Sequence, residues 1–195
     1  MRNLGNAVQK ATAAVDEWEA KAERARAESV ELDRTSGAAI LDDPSAAERI
    51  TVKVQAKERE ARAYDAAAEE ARQRVVDVYR SHLEDEAAGL DKAAVQAQRE
   101  VDKHAGKVAA LVGQLRDLEG VEYAPVEEWH DGAQGRWRDV PKSEALGDRV
   151  EAAKNHAGLI RFYLEHGKRP GPLDEFYAVE PNEALAEVIA AGVRL

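Results

Sequence analysis

The densest set of groups that could do chemistry is Glu127-Glu128-Trp129-His130-Asp131-Gly132, in which three carboxylates flank one histidine. Carboxylates beside an imidazole can hold a divalent cation or pass protons to a substrate. Two features count against that use. Asp131-Gly132 is ordinary turn chemistry, and adjacency in sequence does not make side chains converge. A small metal-dependent enzyme centred on His130 is therefore kept only as a distant alternative, and the chain is expected not to be an enzyme. The other histidines, at 82, 104, 156 and 166, are scattered. His104 falls on an apolar helical repeat with no histidine or carboxylate four residues further on, so it reads as structural.

The neighbouring Gly132-Ala133-Gln134-Gly135-Arg136-Trp137 has two glycines without the spacing of a phosphate loop, and no lysine follows the second. Lys168-Arg169, between His166-Gly167 and Pro170, reads as a solvated loop. Trp129 and Trp137, with Arg136 and Arg138, could stack on single-stranded nucleic acid. Glu127, Glu128, Asp131 and Asp139 surround them, so they read instead as anchors that pack a head domain against a stalk or a neighbouring subunit. No cofactor or metal site is expected.

Composition narrows the partners. The formal charge is −10, and residues 1–120 carry 19 basic and 24 acidic side chains, half of that excess. No basic arm is present to displace counterions from a nucleic-acid backbone, so direct nucleic-acid binding is not expected. The polar faces mix both signs and the apolar faces are small, which argues against a membrane surface. No run of about 18 apolar residues could span a bilayer. The absence of cysteine excludes disulfides and thiolate metal sites. Met1-Arg2-Asn3-Leu4-Gly5-Asn6 lacks the apolar core of a secretory signal, so synthesis in a cytoplasm is expected.

The elements that would position any site are helices. Apolar or small residues recur at alternating steps of three and four through Leu4, Val8, Ala11, Val15, Trp18, Ala22, Ala25, Ser29 and Leu32. The row resumes at Ala47, Ile50, Val54, Lys57, Ala61, Tyr64, Ala68, Ala71, Val75 and Val78. A third row runs through Leu83, Ala87, Leu90, Ala94, Ala97, Val101, His104, Val108, Leu111, Leu115 and Leu118. This is the seam of helices packed on helices.

The first helix is predicted over residues 4 to about 34, stopping at Thr35-Ser36-Gly37, with a restart at Asp43 as N-cap and Pro44 at the first helical position. So short a link folds the two helices back antiparallel over about 45 Å. Near residue 80 the seam changes phase, with steps of four through Val75, Tyr79, Leu83 and Ala87, which unwinds a left-handed supercoil locally. Residues 44–119 are then one helix of about 110 Å that changes partner, or two helices with a turn near Glu84 to Leu90. The lack of turn chemistry in Ser81-His82-Leu83-Glu84-Asp85-Glu86 favours one helix.

From Gly120 the texture changes to short extended segments and turns around Trp129 and Trp137. Helices resume at Ser143, ending at Gly167, and at Pro181-Asn182. The fold class is mainly α: a long coiled-coil-like hairpin or stalk over residues 1–119, and a small α-rich head over 120–195. The seams are alanine-rich and bury little area, so the protein is expected to associate with protein partners, as a homo-oligomer or on a larger assembly. The expected contacts are Val15, Trp18, Leu83, Leu90, Val101, Val108, Leu111, Leu115, Leu118, Trp129 and Trp137. The Leu-rich stretch Leu83 to Leu118 has no counterpart in the first helix and is expected to seek another surface.

Ser36-Gly37 through Ile40-Leu41-Asp42-Asp43-Pro44, the long Ala/Glu/Arg helix and Leu118-Glu119-Gly120-Val121-Glu122-Tyr123 carry a resemblance. Over about residues 30–125 the chain resembles small helical proteins of head assembly and virion structure in tailed phages of actinobacteria. The resemblance implies a non-enzymatic virion structural or head-assembly role, scaffold-like or bound to capsid protein, in a virion assembled in the host cytoplasm. Tailed-phage scaffolding proteins commonly end in a basic helix, whereas this chain ends Val188-Ile189-Ala190-Ala191-Gly192-Val193-Arg194-Leu195. That departure favours a capsid-associated, decorating protein. A cytoplasmic coiled-coil adaptor is the alternative.

Overall fold

The computed structural model describes residues 4–121 and 142–195. Its elements are α1 (Leu4–Asp42), α2 (Ala46–Glu119), α3 (Lys142–His166) and α4 (Glu183–Ala190), with no strand among the described residues. The protein is mainly helical, and its long first two helices pack as a hairpin. Trp129, Trp137 and His130, and the extended segments expected around them, lie outside the described residues.

The chain divides into two compact units: Met1–His82 with Gly192–Leu195, and Leu83–Ala191. The division falls inside α2, close to the phase change of its seam. Residues 83–119 thus group with α3 and α4, whereas the change of sequence texture lies at residue 120. No turn occurs at Glu84 to Leu90; α2 is a single helix of 74 residues.

In the first unit, α1 runs on to Asp42 rather than stopping near residue 34. Gly37 is an ordinary helical residue there, because an internal glycine costs only about 1 kcal/mol and Ala38-Ala39-Ile40-Leu41 carries the helix past it. Ser36 and Ile40 extend the half-buried row of α1 through that stretch. Only Asp43-Pro44-Ser45 separates the helices, and Asp43 closes the turn. Its carboxylate accepts from the Ser45 backbone N–H at 2.9 Å, the Ser45 hydroxyl at 2.7 Å and the Arg49 guanidinium at 2.6 Å. α2 begins at Ala46, so Pro44 lies in the turn rather than at the first helical position.

Antiparallel pairing is fixed by ion pairs between the helices: Arg26 with Asp65 at 2.5 Å, Lys57 with Glu28 at 2.9 Å, and Arg72 with Glu19. Each is half exposed and contributes little stability alone; together they mark the register. Trp18 packs on Tyr64 with ring centroids 5.8 Å apart, under the Lys21 ammonium at 3.9 Å. The buried seam itself is small-residued, comprising Ala22, Ala25 and Ser29 from α1 and Ala46, Ala61, Ala68 and Ala71, with Tyr79, from α2. Side chains this short let the backbones approach closely but remove little apolar surface from water.

The second unit holds the bulky core. Leu83, Leu159, Ile160, Leu185 and Val188 are its fully buried large side chains. Along α3, Leu146, Val150, Ala153, Ala157 and Ile160 are buried on one face with Leu164 half-buried, and Leu159 and Tyr163 are buried beside them, so α3 is covered on more than one face. Gly167, at φ 63°, ends α3 with its N–H on the Tyr163 carbonyl at 2.8 Å. Asn182 caps α4 by accepting from the Leu185 N–H at 3.1 Å, and its side-chain amide donates to Glu86 on α2 at 2.9 Å. Arg161 on α3 pairs with Asp91 on α2.

The loop between α3 and α4 is fastened by one aromatic ring. Phe176 is the only described non-glycine residue with positive φ, at 64°, a conformation that costs a bulky residue roughly 1–2 kcal/mol. Its ring lies on Gly158 of α3 so closely that a Cβ at 158 would overlap it. The packing of the ring holds the loop in that strained geometry.

Two expectations follow. Gly158→Ala should destabilise the protein by about 1–3 kcal/mol in chemical denaturation, and less so in a Phe176→Ala background, where the ring is gone. The hydrogen bonds from Ser45, then from Arg49, hold the Asp43 carboxyl below its ordinary value. A lowered folded-state value gives stability that is present above the unfolded value and lost as pH falls through the folded one. Asp43→Ala should therefore lower the melting temperature at neutral pH, and the gap from wild type should close as the solution is acidified below pH about 4.

Candidate interaction surface

The residues expected to make contacts separate into three groups. Val15 and Trp18 are half-buried along the α1 seam, where the hairpin uses them itself. Leu83 is fully buried, and Leu90 and Val101 are half-buried, within the second unit. The stretch expected to seek another surface is thus largely covered by its own chain as far as His104. The nonlocal helices α3 and α4, distant in sequence, share this unit and give residues 83–101 a folded core.

Beyond His104 the seam continues without cover from the described residues. Val108 is 38% exposed, Leu111 60%, Leu115 45% and Leu118 82%, with Val121 at 54%. Steps of three and four put the four α2 residues on one face of the helix, and Val112 lies half-buried beside them. Scattered exposed leucines are common on protein surfaces, but a continuous row on a helix face is the pattern of a contact site. Gly120, at φ 67°, ends the helix just past the row, with its N–H on the Arg116 carbonyl at 2.8 Å.

The charges around this row differ from those of the chain as a whole. Between Asp102 and Asp117, α2 carries Lys103, Lys107 and Arg116 and no carboxylate, in a protein of formal charge −10. Lys103 and Lys107 form no ion pair among the described residues, and Arg116 lies 3.8 Å from Asp117. Lys103 and Lys107 thus precede or begin the row, and Arg116, Asp117 and Glu119 stand together at its C-terminal end. Helix dipoles add partial negative charge at the C-terminal end. Sequence reading found the row but not where its cover stops, which shows only once α3 and α4 are placed.

The other candidates hold less. Among the described residues no group of three or more His, Asp or Glu side chains could hold a metal ion, and no helix is long and apolar enough to cross a membrane. His104 is half-buried on the seam, and His166 stacks on Phe162 with centroids 4.2 Å apart. Arg169 in the α3–α4 loop pairs with Glu180 at 3.6 Å.

Comparison with protein families, with curated proteins and with solved structures finds no match to this chain.

Covered and uncovered parts of one seam should respond differently to the same kind of change. Leu83→Ala should cost about 2–5 kcal/mol of unfolding free energy. Leu111→Ser should stay within about 0.5 kcal/mol of wild type. Denaturant titration followed by circular dichroism checks both.

Proposed function

We propose that the chain is a non-enzymatic structural or assembly protein, present in many copies and acting through helix–helix contacts, and that it is a capsid-associated protein of a tailed phage. The observation that carries the first part is the exposed row Val108, Leu111, Leu115 and Leu118 on a helix anchored in a folded core. Leaving that row in water forfeits about 25 cal/mol for each Å² of apolar surface a partner would cover. A rigid helix pays little ordering entropy on docking, so most of that gain is available to binding.

The second part rests on the resemblance of residues 30–125 to helical head-assembly proteins of actinobacterial phages. The alanine-seamed hairpin agrees with it, being a spacer with a solvated outer face and short side chains between its helices. In this reading the protein reaches the virion after assembly in the host cytoplasm.

The test is to purify intact particles through a density gradient and measure the chain by mass spectrometry against a major coat protein. A decorating protein should stay with mature particles at a fixed ratio to coat protein. Presence in immature shells and loss from mature ones would mark a scaffold. Absence from both, with recovery in a complex with a cellular protein, would replace the virion reading with that of a coiled-coil adaptor.

A further inference from the structure

The ion pairs across the hairpin are arranged so that separating its helices leaves most of their charges partnered. Lys57 on α2 reaches Glu28 on α1 at 2.9 Å and Glu60 on its own helix at 2.8 Å. Arg72 likewise joins Glu19 on α1 and, at 2.7 Å, Glu69 on its own helix. In each case the carboxylate on the same helix does more to hold the proton on the cation, Glu60 ahead of Glu28 and Glu69 ahead of Glu19. Among the described residues only Arg26 and Asp65 pair across the hairpin with no second partner. We infer that α1 comes away from α2 in one cooperative step while the second unit stays folded, so that α1 is a releasable arm.

Burial in the hairpin agrees with release. All five large side chains that are fully buried among the described residues, Leu83, Leu159, Ile160, Leu185 and Val188, belong to the other unit. Val15, Trp18, Ile50 and Tyr64 are only half-buried in the closed hairpin, so separating the helices exposes less new apolar surface than their size suggests. Each helix also has support of its own. Glu17–Lys21 and Glu31–Arg34 in α1, and Glu70–Arg74 in α2, bridge one turn and survive separation. The Asp43 carboxylate bonds to Ser45 and Arg49, so the turn keeps its fastening when α1 moves.

The second unit lacks this arrangement. Arg161 and Asp91 have only each other, and the core is aliphatic. Sub-global opening draws on the least buried part of a structure, which here is the hairpin. Release frees the apolar face of a 39-residue helix together with the face of α2 that it covered. The hairpin is then a spacer with a closed and an open state, whatever the protein assembles with.

Hydrogen–deuterium exchange on the full chain at neutral pH reads the opening. Amides of residues 8–40 should exchange at least about tenfold faster than those of 146–163, and with a weaker dependence on urea, because a smaller surface is exposed. Trp18→Ala should speed exchange in 8–40 further. Leu159→Ala, or Ile160→Val as a change mild enough to keep the fold, should speed exchange in 146–163 and leave 8–40 as it was. Equal protection of the two stretches, or a core variant that shifts both by the same factor, would mean a single cooperative unit and overturn the inference.

Removing the same-helix partners gives a result of unusual sign. Glu60→Gln with Glu69→Gln should slow exchange in 8–40 severalfold, since the open form loses those partners and the closed form keeps Glu28 and Glu19. Faster exchange there would overturn the inference. The chain has no cysteine, so spin labels on Arg24→Cys and Ala66→Cys, both at exposed positions, report the separation of α1 from α2. A second, longer distance should grow with urea while 146–163 stays protected. A single distance that persists until that protection is lost would rule the arm out.

Discussion

An unbroken ladder of backbone hydrogen bonds from Ala46 to Glu119 makes α2 the element shared by the units that hold α1, α3 and α4. Its N-terminal half carries the counterpart of the α1 seam, and its C-terminal half contributes Leu83, Ala87 and Ala94 to the core shared with α3 and α4. The change between these roles falls within one continuous helix. Buried positions step by fours through Tyr79, Leu83 and Ala87, and the helix supplies each unit with a seam in its own phase. Neither Gly89, Gly106 nor Gly113 interrupts it, because the packed or flanking turns outweigh a cost of about 1 kcal/mol at each.

The two units are stabilised by different means. The hairpin buries alanines and one serine, and adds half-exposed ion pairs and the Trp18–Tyr64 contact at its surface. The second unit buries five large aliphatic side chains completely and spends some of that gain on the left-handed Phe176, whose ring occupies the space opened by Gly158. Burial scales with apolar area, so the second unit carries the larger hydrophobic stabilisation for its size, whereas the hairpin depends more on register and close approach. The exposed row at 108–118 belongs to the helix that this better-packed unit anchors.

Much of this was legible because helix packing is periodic. Every seam position from Leu4 to His104 that the three-and-four rhythm selects is buried or half-buried. The turn closed by Asp43, the cap at Asn182 and the terminators at Gly120 and Gly167 also follow from residue type. Gly37 misled because a glycine permits a helix to end without requiring it, and four helix-compatible residues follow it. Periodicity could not say which stretch of the third row is covered, since Leu90 and Leu111 look alike until α3 and α4 are placed. The contact between Phe176 and Gly158 left no trace in spacing at all, because it joins a loop to a helix through one ring. For Trp129, Trp137 and His130 the sequence remains the source, since they fall outside the described residues.

The alanine seam has a consequence for how this chain can change over generations. A change of the first or second base in an alanine codon leads to Gly, Ser, Thr, Val, Pro, Asp or Glu. At Ala22, Ala25, Ala61, Ala68 or Ala71, glycine loosens the helix and proline breaks it. Valine and threonine push the backbones apart, and the acids place an unpaired charge between them. Serine, already present at Ser29, is the mildest neighbour. A hairpin built from the least distinctive residue is therefore among the hardest to edit, and its outward faces are where lineages of this protein have room to diverge.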